Sequence, residues 1–169
     1  MKPSRWRIAH FSPLPPVHSG IADYSYALLP YLARLADVTL FVTDSQVPKP
    51  LAKGFSIQPM ERYPLVRQEY DVAIYQIGNS EHHREIYSML LRYPGIVVLH
   101  ECFLHHLAAY TINQGNYARY AQEMGYALGV QGLDIVHQIR SGVREPDFYG
   151  IPLNDRLLDS SLGVIVHSK

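Results

Sequence analysis

A chain of 169 residues, 47% of them hydrophobic and 18% charged, has enough apolar side chains for one domain with its own core and is short for two. Fifteen basic side chains against fifteen acidic ones leave no formal net charge, and no Lys/Arg run is long enough to follow a phosphate backbone, so nucleic acid is not an expected partner. The single cysteine, Cys102, excludes an internal disulfide framework; the start from Met1 to Phe11 lacks the apolar run of ~7–15 residues that a signal peptide needs, and nothing approaches a membrane span, which together point to a cytoplasmic protein with at most peripheral membrane contact.

Along the chain, short β-branched or aromatic runs alternate with helical patterns, the order of βαβ units around a parallel sheet. The expected strands are Arg7–Ser12, Val38–Val42, Ser56–Met60, Asp71–Ile77, Gly95–His100 and Gly163–His167. Runs such as Val-Ala-Ile-Tyr and Ile-Val-Val-Leu are apolar nearly throughout, which suits strands covered on both faces. Ile21, Tyr24, Leu28, Tyr31, Leu32 and Leu35 fall on one 3.6-residue stripe and predict a first helix over Ile21–Leu35, with that stripe on the sheet. Pro30 inside it predicts a kink rather than a stop. A second helix is expected over Glu81–Leu91, capped by Asn79 or Ser80 and ended by Tyr93-Pro94-Gly95. From Phe103 to Arg140 the pattern is helical, with breaks near Asn113–Asn116 and Gly129–Gly132. A loop over Ser141–Pro152 and a short helix over Leu153–Ser160 lead to the last strand. The expected fold is therefore an α/β, Rossmann-like three-layer sandwich with a mainly parallel sheet and an all-helical insertion before the last strand.

Three segments could carry chemistry. In Phe11-Ser-Pro-Leu-Pro-Pro-Val-His-Ser-Gly20-Ile-Ala-Asp-Tyr-Ser25 a strand runs through a proline-stiffened loop into a helix, and Gly20 sits at the helix mouth. There the first amides lack intrahelical partners and the dipole is positive, so Ser19, Gly20 and Ile21 either hold a diphosphate on their backbones or simply cap the helix. The loop matches neither Gly-x-Gly-x-x-Gly nor the lysine-bearing P-loop. In Tyr75-Gln-Ile-Gly-Asn79-Ser-Glu-His-His83, Asn79 lies at a strand's carboxyl end, where ligands of open α/β sheets collect; it can bond a hydroxylated ligand or serve as a turn or cap residue. His82 and His83 read as surface helix residues. In Pro94-Gly-Ile-Val-Val-Leu-His100-Glu101-Cys-Phe-Leu-His105-His106 a buried strand delivers His100 and Glu101 to the same edge; the histidine can donate to a sugar hydroxyl and the carboxylate can accept from one, while a core role for His100 stays open. The zincin pattern needs a histidine at position 104, which is Leu104, so no metal is expected. No Gly-x-Ser-x-Gly elbow is present.

In this order the three segments resemble the N-terminal domain of GT-B retaining glycosyltransferases of family 4. Pro13–Ser25 resembles the first loop and helix, with Leu28-Leu-Pro30 following. Gln76-Ile-Gly-Asn79-Ser and Pro94–Glu101 resemble the next two ligand-edge segments, and Val164-Ile-Val-His-Ser168 resembles the closing strand. The resemblance spans almost the whole chain. It implies that the loop at Gly20 approaches the donor diphosphate and that His100 lies beside the transferred sugar or the acceptor. One departure is Glu101, where relatives commonly carry Asp. The family's C-terminal domain, which supplies a basic pair facing the diphosphate and a Glu-containing ribose segment, has no counterpart within residues 1–169, and the chain ending at Lys169 directly after a strand reads as cut.

The expected function is thus the acceptor-side domain, residues 1–169, of an enzyme that moves a sugar from a nucleotide-sugar donor to an acceptor with retention. His100 orients a sugar hydroxyl; the backbones of Ser19, Gly20 and Ile21 face the donor phosphates; Asn79 and Glu101 contact sugar or acceptor; and no cofactor or metal is required. The expected partners are the donor, an acceptor and the missing C-terminal domain. An α/β binding module without catalysis is the alternative from another class, and a GT-B epimerase shares the fold.

Overall fold

A computed structural model describes residues 5–43, 49–110, 112 and 115–167. Six strands, β1 (Trp6–Phe11), β2 (Ala36–Val42), β3 (Ser56–Pro59), β4 (Val72–Ile77), β5 (Ile96–Leu99) and β6 (Gly163–Val166), form one sheet in the order β3-β2-β1-β4-β5-β6. Every neighbouring pair is parallel. All six lie where the β-branched runs place them. Asn113, at one side of an expected helix break, and Ser168 and Lys169 at the end of the family-like segment lie outside the described residues.

Parallel strands need crossovers, and the alternation of side chains shows where these pack. Ile8, Val38, Leu40 and Val42 share a buried cluster with Leu29 of α1 (Gly20–Leu35) and Leu51 of α2 (Lys49–Gly54). The residues of opposite parity, Phe11, Phe41, Ala73, Tyr75, Ile77, Val97 and Leu99, pack against the other layer. That layer comprises Tyr63 of α3 (Tyr63–Val66), Ile86 and Leu90 of α4 (Arg84–Arg92), Leu107 of α5 (His105–Ala109) and Leu157 of α7 (Asp155–Asp159). The chain is therefore a Rossmann-like three-layer α/β sandwich. On the second face Phe11 stacks between Phe41 and Tyr75, with ring centroids 5.1 and 4.6 Å away, so three adjacent strands are joined by one aromatic row.

Helix α1 runs on through Pro30 to Leu35, but the face it buries is not the expected stripe. Ala22, Ser25 and Leu29 are buried, whereas Tyr31 is 62% and Leu35 75% exposed. The cause is size: Ser25 Oγ comes within 2.7 Å of Ser12 Oγ above β1, and so close an approach requires small residues on the sheet side. Of the expected stripe, Leu32 packs partly buried against the sheet-side cluster, while Tyr31 and Leu35 are left on the exposed flank.

Between β5 and β6 the insertion is helical as expected. The 23-residue α6 (Ala118–Arg140) breaks at Gly129, whose φ of 59° and ψ of −137° suit a residue without Cβ. The chain folds back there so tightly that a Cβ on Gly132 would collide with the Met124 carbonyl. Glu123, 4% exposed, accepts from Tyr87 Oη at 2.7 Å and pairs with Arg156 at 3.0 Å, tying α6 to α4 and α7. Among the described residues no helix is long and apolar enough to cross a membrane.

Candidate functional site

Strand β1 leads through α1 to β2 on one side of it, and β4 leads through α4 to β5 on the other. The connections therefore diverge between β1 and β4, and in open α/β sheets ligands bind in the crevice outside the carboxyl ends at such a point. All three segments singled out above end there. Ser12–Ser19 emerges from β1, Gly78–Ser80 from β4 and His100–Glu101 from β5.

The loop from β1 is pinned by Val17 N–H donating to the Leu14 carbonyl at 3.0 Å, and it contains a cis peptide at Pro15–Pro16. Ser19 is the N-cap of α1: its hydroxyl accepts from Ala22 N–H at 3.1 Å and its carbonyl from Asp23 N–H at 3.1 Å. Of the four first-turn amides this leaves those of Gly20 and Ile21 outside the cap. A Cβ built on Gly20 meets nothing within 4 Å and Gly20 is exposed, so the helix mouth is open at Gly20. Gly78, by contrast, is closely covered, since a Cβ there would collide with Ile21 Cδ1. The mouth of α1 thus abuts the end of β4 directly.

His10, Gln76 and His100 form a staircase on the α1 face of the sheet. His10 pairs in register with Ile74 and Gln76 with Val98, so each polar residue sits one strand over and two residues further toward the carboxyl edge. Gln76 is fully buried and His10 is 1% exposed. The Gln76 amide nitrogen lies 3.3 Å from His10 Nε2, and its carbonyl Oε1 lies 2.8 Å from His100 Nε2. Burial pushes the His10 imidazole down to about 4. His100, half-buried, is lowered by burial and by the nearby His167. Its ring packs edge-on against Tyr24 of α1 at 4.9 Å and lies 4.9 Å from His167 after β6. Both shifts favour the neutral imidazole.

Asn79 turns away from the helix that follows it. Its Oδ1 accepts from Leu107 N–H at 3.0 Å, and its amide nitrogen lies 3.1 Å from His106 Nδ1, so it anchors α5 across the edge. The turn before α4 is instead entered through Ser80 without a side-chain cap bond. His83, expected on the surface, is 1% exposed and donates from Nδ1 to the Gln76 carbonyl at 3.0 Å; burial pushes it down to about 4. The cause is a 3₁₀ turn over Glu81–His83, which rotates His83 inward relative to the regular helix predicted there. His105 has both ring nitrogens engaged, Nδ1 with the Ile151 carbonyl at 2.8 Å and Nε2 with Tyr120 Oη at 2.7 Å. Glu101 is exposed at the rim, and no group of three His, Cys, Asp or Glu side chains among the described residues can hold a metal.

The concave spaces flank His100 and do not enclose it. A space of about 80 Å³ lies under the first loop, lined by Ser12, Leu14, Val17 and His82. One of about 310 Å³ lies between Asn79, Glu81, His106, Tyr110 and Phe148. His100 and the Gly20 and Ile21 amides stand on an open ledge. The segments 12–20, 78–83 and 100–104 contain no Lys or Arg, so on these segments an anion would meet amides and the helix dipole.

The structure brings Ser19, Gly20, Ile21 and His100 to one crevice, commits Asn79 to α5, and adds Gln76, His10, Tyr24 and His167, which the motifs did not single out. The available signal for Gln76 and His10 was a polar residue inside an otherwise apolar strand, where burial demands a partner. Comparison with family models, with curated proteins and with solved structures gave no match to this chain.

Proposed function

We propose that this Rossmann-like domain is the N-terminal, acceptor-side half of a GT-B retaining glycosyltransferase of family 4, acting on a nucleotide-sugar donor and a hydroxylated acceptor. The observation that carries the reading is the pairing, at the divergence point of the sheet, of an open α1 mouth with uncapped Gly20 and Ile21 amides and a neutral His100 beside it. The amides suit a diphosphate; the imidazole suits a sugar hydroxyl. In such a transfer the protein positions donor and acceptor and stabilises the departing diphosphate, which is an electrostatic task. Three loop segments without Lys or Arg do only part of this, and a facing domain supplies the rest.

The test uses the full-length protein with a panel of nucleotide sugars and acceptors, scoring transfer and the anomeric configuration of the product. Gly20→Val places a branched side chain in the open space before the amides without touching the core, so the donor KM is expected to rise about tenfold, the equivalent of ~1.4 kcal/mol, with thermal stability nearly unchanged. Unaltered donor kinetics in a folded variant remove the loop from the site. Binding of a nucleotide or glycan with no transfer to any acceptor favours the binding module.

A further inference from the structure

The Gln76 side chain bridges two imidazoles and can serve them in only one way at a time. An amide has one end that accepts and one that donates. Its oxygen only accepts, so the nitrogen facing it at 2.8 Å, His100 Nε2, carries a proton. Its NH₂ only donates, so the nitrogen facing it at 3.3 Å, His10 Nε2, is bare and His10 carries its proton on Nδ1. The distances favour this orientation, because the shorter contact is the N–H···O bond and the longer the N–H···N bond. The arrangement has a cost: His10 Nδ1 is buried without a hydrogen-bond partner. Apolar residues of similar shape would fill three neighbouring strands without leaving any such group.

We propose that Gln76 is a positioning residue that locks His100 in the Nε2–H tautomer, so that the only ring atom left for a ligand at the sheet edge is an unprotonated Nδ1. The inference rests on the reading of His100 as a ligand-facing residue, and it narrows what His100 can bind. A bare nitrogen accepts and cannot donate, so His100 takes the O–H of a neutral hydroxylated ligand such as a sugar and gives nothing to a phosphate oxygen. That reverses the polarity expected from the sequence, in which the histidine donates to the hydroxyl. Phosphate recognition then falls to the α1 amides and sugar recognition to His100. The edge-on packing of Tyr24 and the ring of His167 hold the imidazole in the plane Gln76 sets.

The experiment is ¹⁵N NMR of histidine-labelled protein above pH 7, in which the two neutral tautomers have distinct nitrogen shifts and couplings. His100 is expected as Nε2–H and His10 as Nδ1–H, each a single form. In Gln76→Met, which keeps the volume and removes both bonds, His100 is expected to become a mixture of the two tautomers. Three results overturn the proposal: His100 protonated on Nδ1 in the unaltered protein, as a reversed amide requires; His10 and His100 both protonated on Nε2; or an unchanged His100 tautomer in a folded Gln76→Met. If that variant does not fold, the unaltered protein's spectrum still decides. No donor or acceptor is added, so failure here is separate from failure to transfer sugar.

Discussion

Lowering the pH from 7 to 5 is expected to cost the folded state about 4 kcal/mol through His10 and His83 alone. Both are buried to 1% exposure and held at about 4, below the ordinary histidine value of 6.5. Between those values the unfolded chain binds more protons than the folded one. The stabilisation present above pH 6.5 is therefore lost as the pH falls through the window from 6.5 to 4. At pH 5 each group forgoes nearly 2 kcal/mol, which is large against a total stability of roughly 5–15 kcal/mol. Urea denaturation at pH 7.5, 6 and 5 reads the effect directly: the midpoint should drop steadily, with the slope against urea constant and little change between pH 7 and 7.5. A midpoint independent of pH across the window would show that both imidazoles already reach water or a counter-charge.

His100→Ala should lower kcat/KM for sugar transfer by about ten- to a hundredfold, the equivalent of ~1.4–2.7 kcal/mol, while the protein stays folded. The side chain is half-buried at the edge and contributes one hydrogen bond to the interior, with Gln76, plus its contacts with Tyr24 and His167. Truncation leaves Gln76 Oε1 without its donor and costs the fold ~1–3 kcal/mol, a loss of melting temperature but not of structure. The ligand loses its acceptor, and a hydroxyl left unpaired in the closed complex weakens the transition state by a similar amount. Melting temperature and kcat/KM measured on the same sample separate the two. If the melting temperature collapses while the folded fraction keeps full activity, His100 is a core residue.

The sheet was legible because its strands are short β-branched runs bounded by turn residues, and the break in the insertion because Gly129 and Gly132 interrupt a helical pattern. The short helices Lys49–Gly54 and Tyr63–Val66 were not, since a helix of one turn has no period to detect. The burial of α1 was misplaced by weighing hydrophobicity over size, when the close approach over Ser12 selected Ala22 and Ser25. Of the candidate site, the positions of Gly20 and His100 at the carboxyl edge were legible from their places after strands. The Gln76 bridge could not, because it depends on β1, β4 and β5 being neighbours and on a two-residue stagger between them, both of which are set by the sheet order. Asn79 shows the converse: its position after β4 was correctly read, yet its amide is taken up by α5, a segment 26 or more residues further along.

In the proposed function the α1 mouth at Gly20 and Ile21 faces the diphosphate of a nucleotide sugar. Two amides and a helix dipole, with no Lys or Arg on segments 12–20, 78–83 and 100–104, supply only a few kcal/mol, which corresponds to a dissociation constant on the order of millimolar. The direct measurement is an amide NMR titration of the 169-residue chain with UDP-glucose and GDP-mannose, against sodium chloride of matched ionic strength. The Gly20 and Ile21 resonances are expected to move progressively and saturate in the millimolar range, with neighbouring Ser19 and Gly78 following, and salt alone is not expected to reproduce the shifts. Resonances at Gly20 and Ile21 that stay fixed while others move, or that respond equally to salt, would contradict it.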